Sequence, residues 1–273
     1  MSNQRPEQGN SEMNVVRNRL LKTLAAVLLA SAWPAMAAEV WPAQTQPLNE
    51  TTLKLQLEAL DTAVKSLSPK LLPALRFEKL YWQMISGAPA AAWRGELERG
   101  AQQAGDDPVA SAVRELSRVW LARAQMQEID AALFAYYRNS VVFPSSLDAV
   151  MKDIPAAAQK DPWGQPWVYK PLTPAGLKRH INQRYQLGPT RFPQLASFKD
   201  AVRKRTPPAT AWKITPRSIG SGTALEFRST GSGGEQSVAT LEPGGSVGGN
   251  MLVFIGDRWA LMAGLDQFFT VNF

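Results

Sequence analysis

A serine flanked by glycines is the motif in this chain that comes closest to nucleophilic chemistry. Residues 244–248 read Gly-Gly-Ser-Val-Gly and match the G-x-S-x-G pattern of a nucleophile elbow, in which a turn between a strand and a helix exposes the serine. That chemistry also needs a histidine placed after the serine. The only histidine, His180, precedes Ser246, and residues 251–255 are typical of a strand. We therefore interpret 244–248 as a Gly-rich turn, and a serine–lysine pair has no supporting motif.

Other residue types that do chemistry are scarce. The 273 residues include no cysteine, which excludes disulfides, thiolate metal sites, iron–sulfur clusters and cysteine nucleophiles. Asp106 and Asp107 are adjacent, but they precede Pro108 at a predicted helix start, where an aspartate caps free N–H groups. We expect no catalytic residue, no metal and no cofactor, so the protein is predicted not to be an enzyme.

Basic residues are concentrated in one stretch. Residues 170–217 contain eleven Lys and Arg against a single acidic residue, Asp200, a net charge of +10, whereas 38–169 and 218–273 carry −2 and −3. Such a stretch can dock on an acidic protein or on anionic lipid head groups, and a solvated loop is the alternative. The candidate partner-binding residues are Lys178, Arg179, Arg184, Arg203, Lys204 and Arg205.

The N-terminal segment 1–37 has the layout of a secretory signal peptide. A basic stretch is followed by a short apolar run and by a small-x-small cleavage site, Ala35-Met36-Ala37. We expect Met13 to be the true start and the mature protein to be periplasmic after cleavage. An uncleaved inner-membrane anchor is the alternative, although the apolar run is shorter than the ~20 residues that span a bilayer. Export, and the lack of a matching recognition module, make nucleic acid an unexpected partner.

Apolar periodicity predicts helices before the middle of the chain. One stripe recurs at spacings of four, three, four and three residues from Leu53 to Leu67. Pro108 opens the strongest helix, over 108–138, which keeps a three-four alternation on one face and carries charged residues such as Arg123 on the other. A short helix is predicted at 145–155 and a strand at 167–169.

Residues 117–188 combine several motifs in a fixed order. An Ala-Leu-x-x-Tyr segment ends the long helix, an aromatic-Pro element and a short helix follow, and an Asp-Pro-Trp-Gly-x-Pro-Trp turn runs into a strand. This order resembles the globular part of the major pseudopilin of type II secretion systems. The resemblance implies a long helix packed on a small antiparallel sheet. The motif residues are Tyr136, Tyr137, Pro144, Asp161, Pro162, Trp163, Gly164, Pro166, Trp167 and Tyr169.

The resemblance does not extend beyond this module. A pseudopilin begins with a short basic leader, a prepilin-peptidase site and a membrane helix, whereas residues 38–107 and an ordinary signal peptide precede the module here. The family's acidic, Gly-rich calcium loop is replaced by the basic segment 189–205. We therefore expect neither a processed filament subunit nor a calcium site.

The turn at 161–167 also has a structural interpretation that needs no family. Pro162 presets a turn, Gly164 permits positive φ, and Asp161 can accept backbone N–H bonds. Trp163 and Trp167 have large, flat apolar side chains that can pack the turn against the long helix. Contact of an exposed tryptophan with a partner is the alternative.

Short apolar runs separated by Gly-rich turns predict a small all-β unit at the C-terminus. The predicted fold class is α+β, with an N-terminal helical region, a long helix packed on a small antiparallel pseudopilin-like sheet, and then the all-β unit. The predicted organisation is a signal peptide at 1–37, a helical region at 38–107, the pseudopilin-like module at 108–190, a basic Pro-containing linker at 191–209 and a small β domain at 210–273.

These features together predict a structural role in export. We expect a non-enzymatic periplasmic accessory or assembly component of a type II secretion or type IV pilus-like system that contacts pseudopilins or secretin-complex proteins. One alternative is a periplasmic scaffold or binding protein unrelated to secretion. A periplasmic hydrolase is the other, and the position of His180 disfavours it.

Overall fold

The structure is a computed structural model. It describes residue 41 and residues 50–172, 183–203, 212–220, 222–230 and 236–273. The predicted signal peptide at 1–37 lies outside the described residues.

Helices dominate the first half of the chain, as the periodicity predicts. Pro69 follows the first helix and Gly87 the second, and both residues oppose continuation of a helix, because proline lacks an N–H donor and glycine disfavours helical backbone. The α-helices are α1 Glu50–Ser66, α2 Leu72–Ile85, α3 Arg94–Ala101, α4 Pro108–Ser140 and α5 Phe198–Arg203. The 3-10 helices are Pro69–Leu71, Ala90–Ala92, Leu147–Asp153 and Ala156–Ala158.

The long helix α4 is bounded by local chemistry at both ends. Asp107 is its N-cap, as predicted, and its Oδ1 accepts from the N–H groups of Val109 and Ala110 at 3.0 Å each. At the other end Val141 has a left-handed backbone with φ of 59°. A β-branched residue is strained in this region, which glycine or asparagine normally occupies at a helix C-terminus.

A two-stranded hairpin packs on the C-terminal half of α4. Strands β1 Trp167–Leu172 and β2 Arg184–Pro189 are antiparallel, with Trp167 opposite Pro189. Together with the two 3-10 helices that precede β1, they enclose one apolar cluster that α4 lines with Met126, Ile129 and Leu133. The helix-and-hairpin arrangement that the resemblance implies is thus present.

Two antiparallel sheets form the C-terminal all-β unit. The first has the order β3-β4-β5 and the second β6-β7-β8-β9, with all neighbours antiparallel. The strands are β3 Lys213–Ile219, β4 Gly222–Thr230, β5 Gln236–Leu241, β6 Ser246–Val247, β7 Asn250–Ile255, β8 Trp259–Ala263 and β9 Phe268–Asn272.

The four-stranded sheet is a middle layer with an apolar core on each face. Phe269 belongs to the cluster shared with the three-stranded sheet, whereas its neighbour Phe268 belongs to the cluster shared with α1, α2 and α4. Leu261 and Met262 of β8 divide in the same way, because successive side chains of a strand point to opposite faces. A sheet buried on both faces requires nearly continuous apolar strands, which accounts for the run Met-Leu-Val-Phe-Ile in β7.

The first part of the predicted basic linker packs against the helical core. Leu195 is buried, and the ring of Phe198 stacks on Trp93 at 5.4 Å and meets Trp120 edge-on at the same distance. Leu195 and Phe198 therefore attach this part of the segment to the helical region, whereas Arg191, Lys199 and Arg203 are exposed. Residues 204–211 lie outside the described part of the chain.

The predicted fold class is confirmed: the protein is α+β, with a helical region, a long helix on a small antiparallel sheet and a C-terminal all-β unit. Within the part of the chain that the structure describes, no helix combines the length and the apolar character needed to cross a bilayer.

Candidate functional site

The carboxylate of Asp161 closes the turn that the sequence singles out. Its Oδ1 accepts from the N–H groups of Trp163 at 3.0 Å and Gln165 at 2.8 Å, and its Oδ2 accepts from that of Thr190 at 3.2 Å. The side chain is buried, and Gly164 has the positive φ expected, 80°. Asp161 therefore ties the turn to the end of β2, as a turn cap does.

Trp163 attaches the same turn to the long helix. Its Nε1 donates to Oε2 of Glu115 at 3.2 Å, and that oxygen also pairs with Nη1 of Arg191 at 2.8 Å. The ring meets Phe192 edge-on at 5.6 Å. Trp163 remains half-buried, so part of its ring stays accessible to a partner.

Trp167 secures the start of β1 from the inside. Its ring is buried in the module core, and its Nε1 donates to the carbonyl oxygen of Ala158 at 2.8 Å. The carbonyl of Pro166 next to it accepts from the hydroxyl of Thr190 at 2.6 Å. Both indole N–H groups thus have intramolecular acceptors, but only Trp167 is buried, and Trp163 is half-buried.

The tyrosines of the motif close the other end of the module. The hydroxyl of Tyr169 donates to the carbonyl oxygen of Pro144 at 2.8 Å, which joins β1 to the end of α4. Tyr137 stacks on Phe143 at 4.6 Å and donates to Oε1 of Gln183 at 3.2 Å. Tyr136 packs half-buried against the same cluster.

Tyr185, a tyrosine outside the listed motif residues, also bonds to the long helix. The hydroxyl of Tyr185 donates to Oδ1 of Asp130 at 2.7 Å. Burial, and after it this bond, raises the pKa of Tyr185, and burial raises the pKa of Tyr169 to about 12. Burial also raises the pKa of Asp130, against the opposite effect of the bond from Tyr185. Both phenols therefore stay protonated at neutral pH and donate hydrogen bonds.

The end of α4 also presents apolar side chains to solvent. Phe134 is 52% exposed and Val141 65% exposed. The ring of Phe134 lies edge-on to Phe143 at 5.6 Å and to Tyr185 at 6.3 Å, and about half of the side chain remains exposed. No pattern in the sequence marks these two residues, because their exposure depends on where the hairpin stops covering the helix.

Ser246 does not lie in a nucleophile elbow. It belongs to the short strand β6, where it pairs with Met251, and it is exposed. The chain turns back through Gly248 and Gly249, whose φ angles are 56° and 76°, directly into β7. A strand and not a helix follows the serine, and the glycines lie in turns on both sides of the two-residue strand β6. His180 lies outside the described residues.

The predicted basic patch is only partly described. Lys178, Arg179, Lys204 and Arg205 lie outside the described residues. Arg184 on β2 is exposed, and Arg203 at the end of α5 is exposed and pairs with Oδ1 of Asp200 at 3.0 Å. The two described members lie on different elements, and the structure gives no contact between them.

An acidic side chain of the C-terminal unit, Glu226, forms ion pairs with two arginines. Glu226 of β4 lies between Arg228 and Arg217, with Arg217 Nη2 at 2.9 Å from Oε2, and the bond from Arg228 is the main cause that lowers the pKa of Glu226. Nowhere in the described ranges do three or more His, Asp or Glu side chains gather in a way that could hold a metal ion.

Arg123 is the residue that sequence analysis misplaces most clearly. The helical pattern puts it on the charged outer face of α4, yet its side chain is 1% exposed. It is covered because β8, β9 and the segment before α5 pack over this part of the helix. No local signal in the sequence marks that cover.

Comparison with known proteins identifies no family for this chain. No family model, no curated protein and no solved structure matches it.

Proposed function

We propose that the protein is a non-enzymatic accessory or assembly component of a type II secretion or type IV pilus-like system. It acts in the periplasm, contacts pseudopilins or secretin-complex proteins, and uses the module formed by residues 108–190 for that contact. The anionic face of the inner membrane is a further docking surface for its basic stretch. This proposal rests on the resemblance of residues 117–188 together with the packing of those residues.

One observation supports the proposal above the others: the motif residues meet in a single packed unit. Asp161, Trp163 and Trp167 join the turn to α4, to the 3-10 helix and to the end of β2 by side-chain hydrogen bonds. Tyr169 joins β1 to the segment after α4. Residues that merely happened to match a pattern would not be expected to share one core.

The contacts also favour a structural role over catalysis. Asp161, Asp130 and Tyr185 are engaged in intramolecular hydrogen bonds, and Ser246 lies on a short strand that leads through a turn into another strand, not into a helix. Exposed apolar side chains at the end of α4 are the kind of surface that contacts protein partners.

A cavity beside α4 favours a second candidate, a periplasmic binding protein unrelated to secretion. Its volume is about 580 Å³, and it lies between the segment before α5 and the β8–β9 hairpin. This volume is within the range of small-molecule sites.

The proposed function is tested by deletion of the gene combined with site-specific crosslinking. We expect deletion to reduce secretion or piliation and the full-length protein to restore it. A photo-crosslinking residue in place of Phe134 in the module should capture a pseudopilin or a secretin-complex protein. The matched position is Leu55 on α1, which is also exposed and should capture neither.

The proposal is wrong if secretion and piliation are normal after deletion and neither position captures such a protein. Capture at Leu55 but not at Phe134 would support a role in the secretion or pilus system, but it would show that the module is not the contact surface.

A further inference from the structure

The cavity beside α4 is lined by both apolar and charged side chains. Leu195 and Phe192 from the segment before α5 form one side, and Leu265 and Asp266 from the β8–β9 hairpin form the other. Arg123 of α4 and Arg191 also line it. Leu265 is 45% exposed although it is a large apolar residue, so it presents an apolar rim to solvent. Apolar walls with a few converging polar groups are typical of ligand sites.

Arg123 is a buried cation, and only some of its N–H donors have a hydrogen-bond acceptor in the surrounding protein. Its Nε donates to the carbonyl oxygen of Ala196 at 3.2 Å, and its Nη2 lies 2.5 Å from Oδ1 of Asp266. The guanidinium also lies 4.6 Å from the centre of the Trp120 ring. These contacts hold the guanidinium in one orientation at the base of the cavity.

The remaining nitrogen of Arg123 has no acceptor among the residues that the structure describes. Nη1 is buried and makes no hydrogen bond there. A buried charged donor without a partner costs more than a neutral one, so an oxygen acceptor that reached it would be bound favourably.

The charges that face the cavity determine what kind of acceptor fits. Arg123 and Arg191 contribute two positive charges and Asp266 one negative charge, so the lining carries a net +1. Glu115 stands behind Arg191 and bonds to it at 2.8 Å, but it does not line this cavity. A ligand with a single negative charge balances the lining, and a carboxylate oxygen is the acceptor that forms a charge-assisted hydrogen bond with the remaining nitrogen of an arginine.

We propose that this cavity binds a small apolar monocarboxylate. The carboxylate accepts hydrogen bonds from the guanidinium of Arg123 and lies within the field of Arg191, and the apolar body packs against Phe192, Leu195 and Leu265. The site does not depend on the role in secretion proposed above, because none of its lining residues belongs to the pseudopilin-like motif.

Calorimetric titration of the full-length protein with 4-phenylbutyrate tests the charge requirement. We expect binding at one site per chain. The neutral 4-phenylbutanamide has the same apolar body, and we expect it to bind about tenfold more weakly, because it lacks the charge that strengthens a bond to arginine. Equal affinity for the two compounds, or no binding of the acid at millimolar concentration, overturns the proposal.

Substitutions of lining residues test whether the acid binds in this cavity. Arg123→Met should abolish measurable binding, but it also leaves Asp266 without its partner and can prevent folding. Leu265→Ser and Arg191→Gln change exposed side chains, with Arg191 54% exposed, and each should weaken binding roughly three- to tenfold with an unchanged melting temperature.

Matched controls make the result specific. Leu55→Ser removes an equally exposed leucine from α1, and Arg184→Gln removes an exposed arginine from β2. Both should bind the acid as the unchanged protein does. If Leu265→Ser and Arg191→Gln bind with unchanged affinity, or if the controls lose as much affinity as they do, the acid does not occupy this cavity and the proposal fails.

Discussion

Single polar residues in this protein are buried for two different reasons. The buried carboxylate of Asp161 accepts hydrogen bonds from three backbone N–H groups, and these bonds stabilise a turn. Glu78 of α2 is fully buried, and one of its oxygens accepts from Nε1 of Trp82 at 3.0 Å. Its other oxygen has no partner among the described residues, so its burial has a cost.

Replacing Asp161 with alanine should destabilise the protein strongly. The change leaves three backbone donors without their acceptor, and we expect a loss of about 2–4 kcal/mol in the free energy of unfolding. Chemical denaturation followed by circular dichroism measures it. Asp148→Ala, at an exposed residue of a 3-10 helix, is the control and should change stability by less than ~0.5 kcal/mol. Equal effects of the two changes would contradict the role of Asp161.

Glu78 should make the protein less stable as pH rises. Burial raises the pKa of its carboxyl from 4.5 to about 8, so between these values the unfolded chain releases a proton that the folded protein keeps. Stability therefore falls over this interval by linkage. Glu78→Gln removes the effect, and its advantage over the unchanged protein should grow to the order of 4 kcal/mol at pH 8.

Denaturation at a series of pH values between 4 and about 9 measures this difference. Glu242→Gln, which changes an exposed glutamate, is the matched control. A constant difference between Glu78→Gln and the unchanged protein across this range would show that Glu78 is not protonated in the folded state.

Elements in this protein approach one another closely where glycine allows it. A Cβ at Gly188 of β2 would lie 2.5 Å from the backbone oxygen of Pro193, and one at Gly100 of α3 would lie 2.3 Å from Oγ of Ser117 on α4. Backbone cannot rotate away as a side chain can. Gly188 therefore determines how tightly the segment 190–196 folds over the hairpin, and with it the position of one wall of the cavity.

Gly188→Ala should destabilise the protein by about 1–3 kcal/mol, because the new methyl group must displace backbone. Gly95→Ala is the matched control. It lies in α3 with nothing within 4 Å of the new Cβ, and alanine there should stabilise the helix by about 0.5–1 kcal/mol. Thermal and chemical denaturation distinguish the two variants, because Gly188→Ala should lower the stability and Gly95→Ala should raise it. Stabilisation by both would mean that segment 190–196 does not lie against β2.

At the scale of the whole molecule, the four-stranded sheet joins the helical region to the three-stranded sheet. Phe268 meets Phe77 of α2 edge-on at 5.7 Å, and Trp120 of α4 donates to the backbone oxygen of Asp266 at 2.7 Å. The C-terminal unit therefore shares a core with the helices, and we expect the two to unfold together.

Phe268→Ala should cost about 3–5 kcal/mol by leaving a cavity between the helices and the sheet. Far-ultraviolet circular dichroism and tryptophan fluorescence should still report one transition at the same lowered midpoint. Leu265→Ala, an exposed change three residues away, is the control. Two separated transitions in the unchanged protein would show that the β unit folds by itself.

Local features of the sequence determined much of this architecture. The helices of residues 50–140, the Asp107 cap, the Asp161 turn and most C-terminal strands were predictable, because periodicity, capping and turn chemistry act over a few residues. Only the tertiary structure decided that β7 to β9 form a middle layer, that residues 191–203 pack on the core and that Arg123 is buried. Arg123 and Asp266 are 143 positions apart, and such a contact depends on which faces cover each other, a property that no short stretch of sequence encodes.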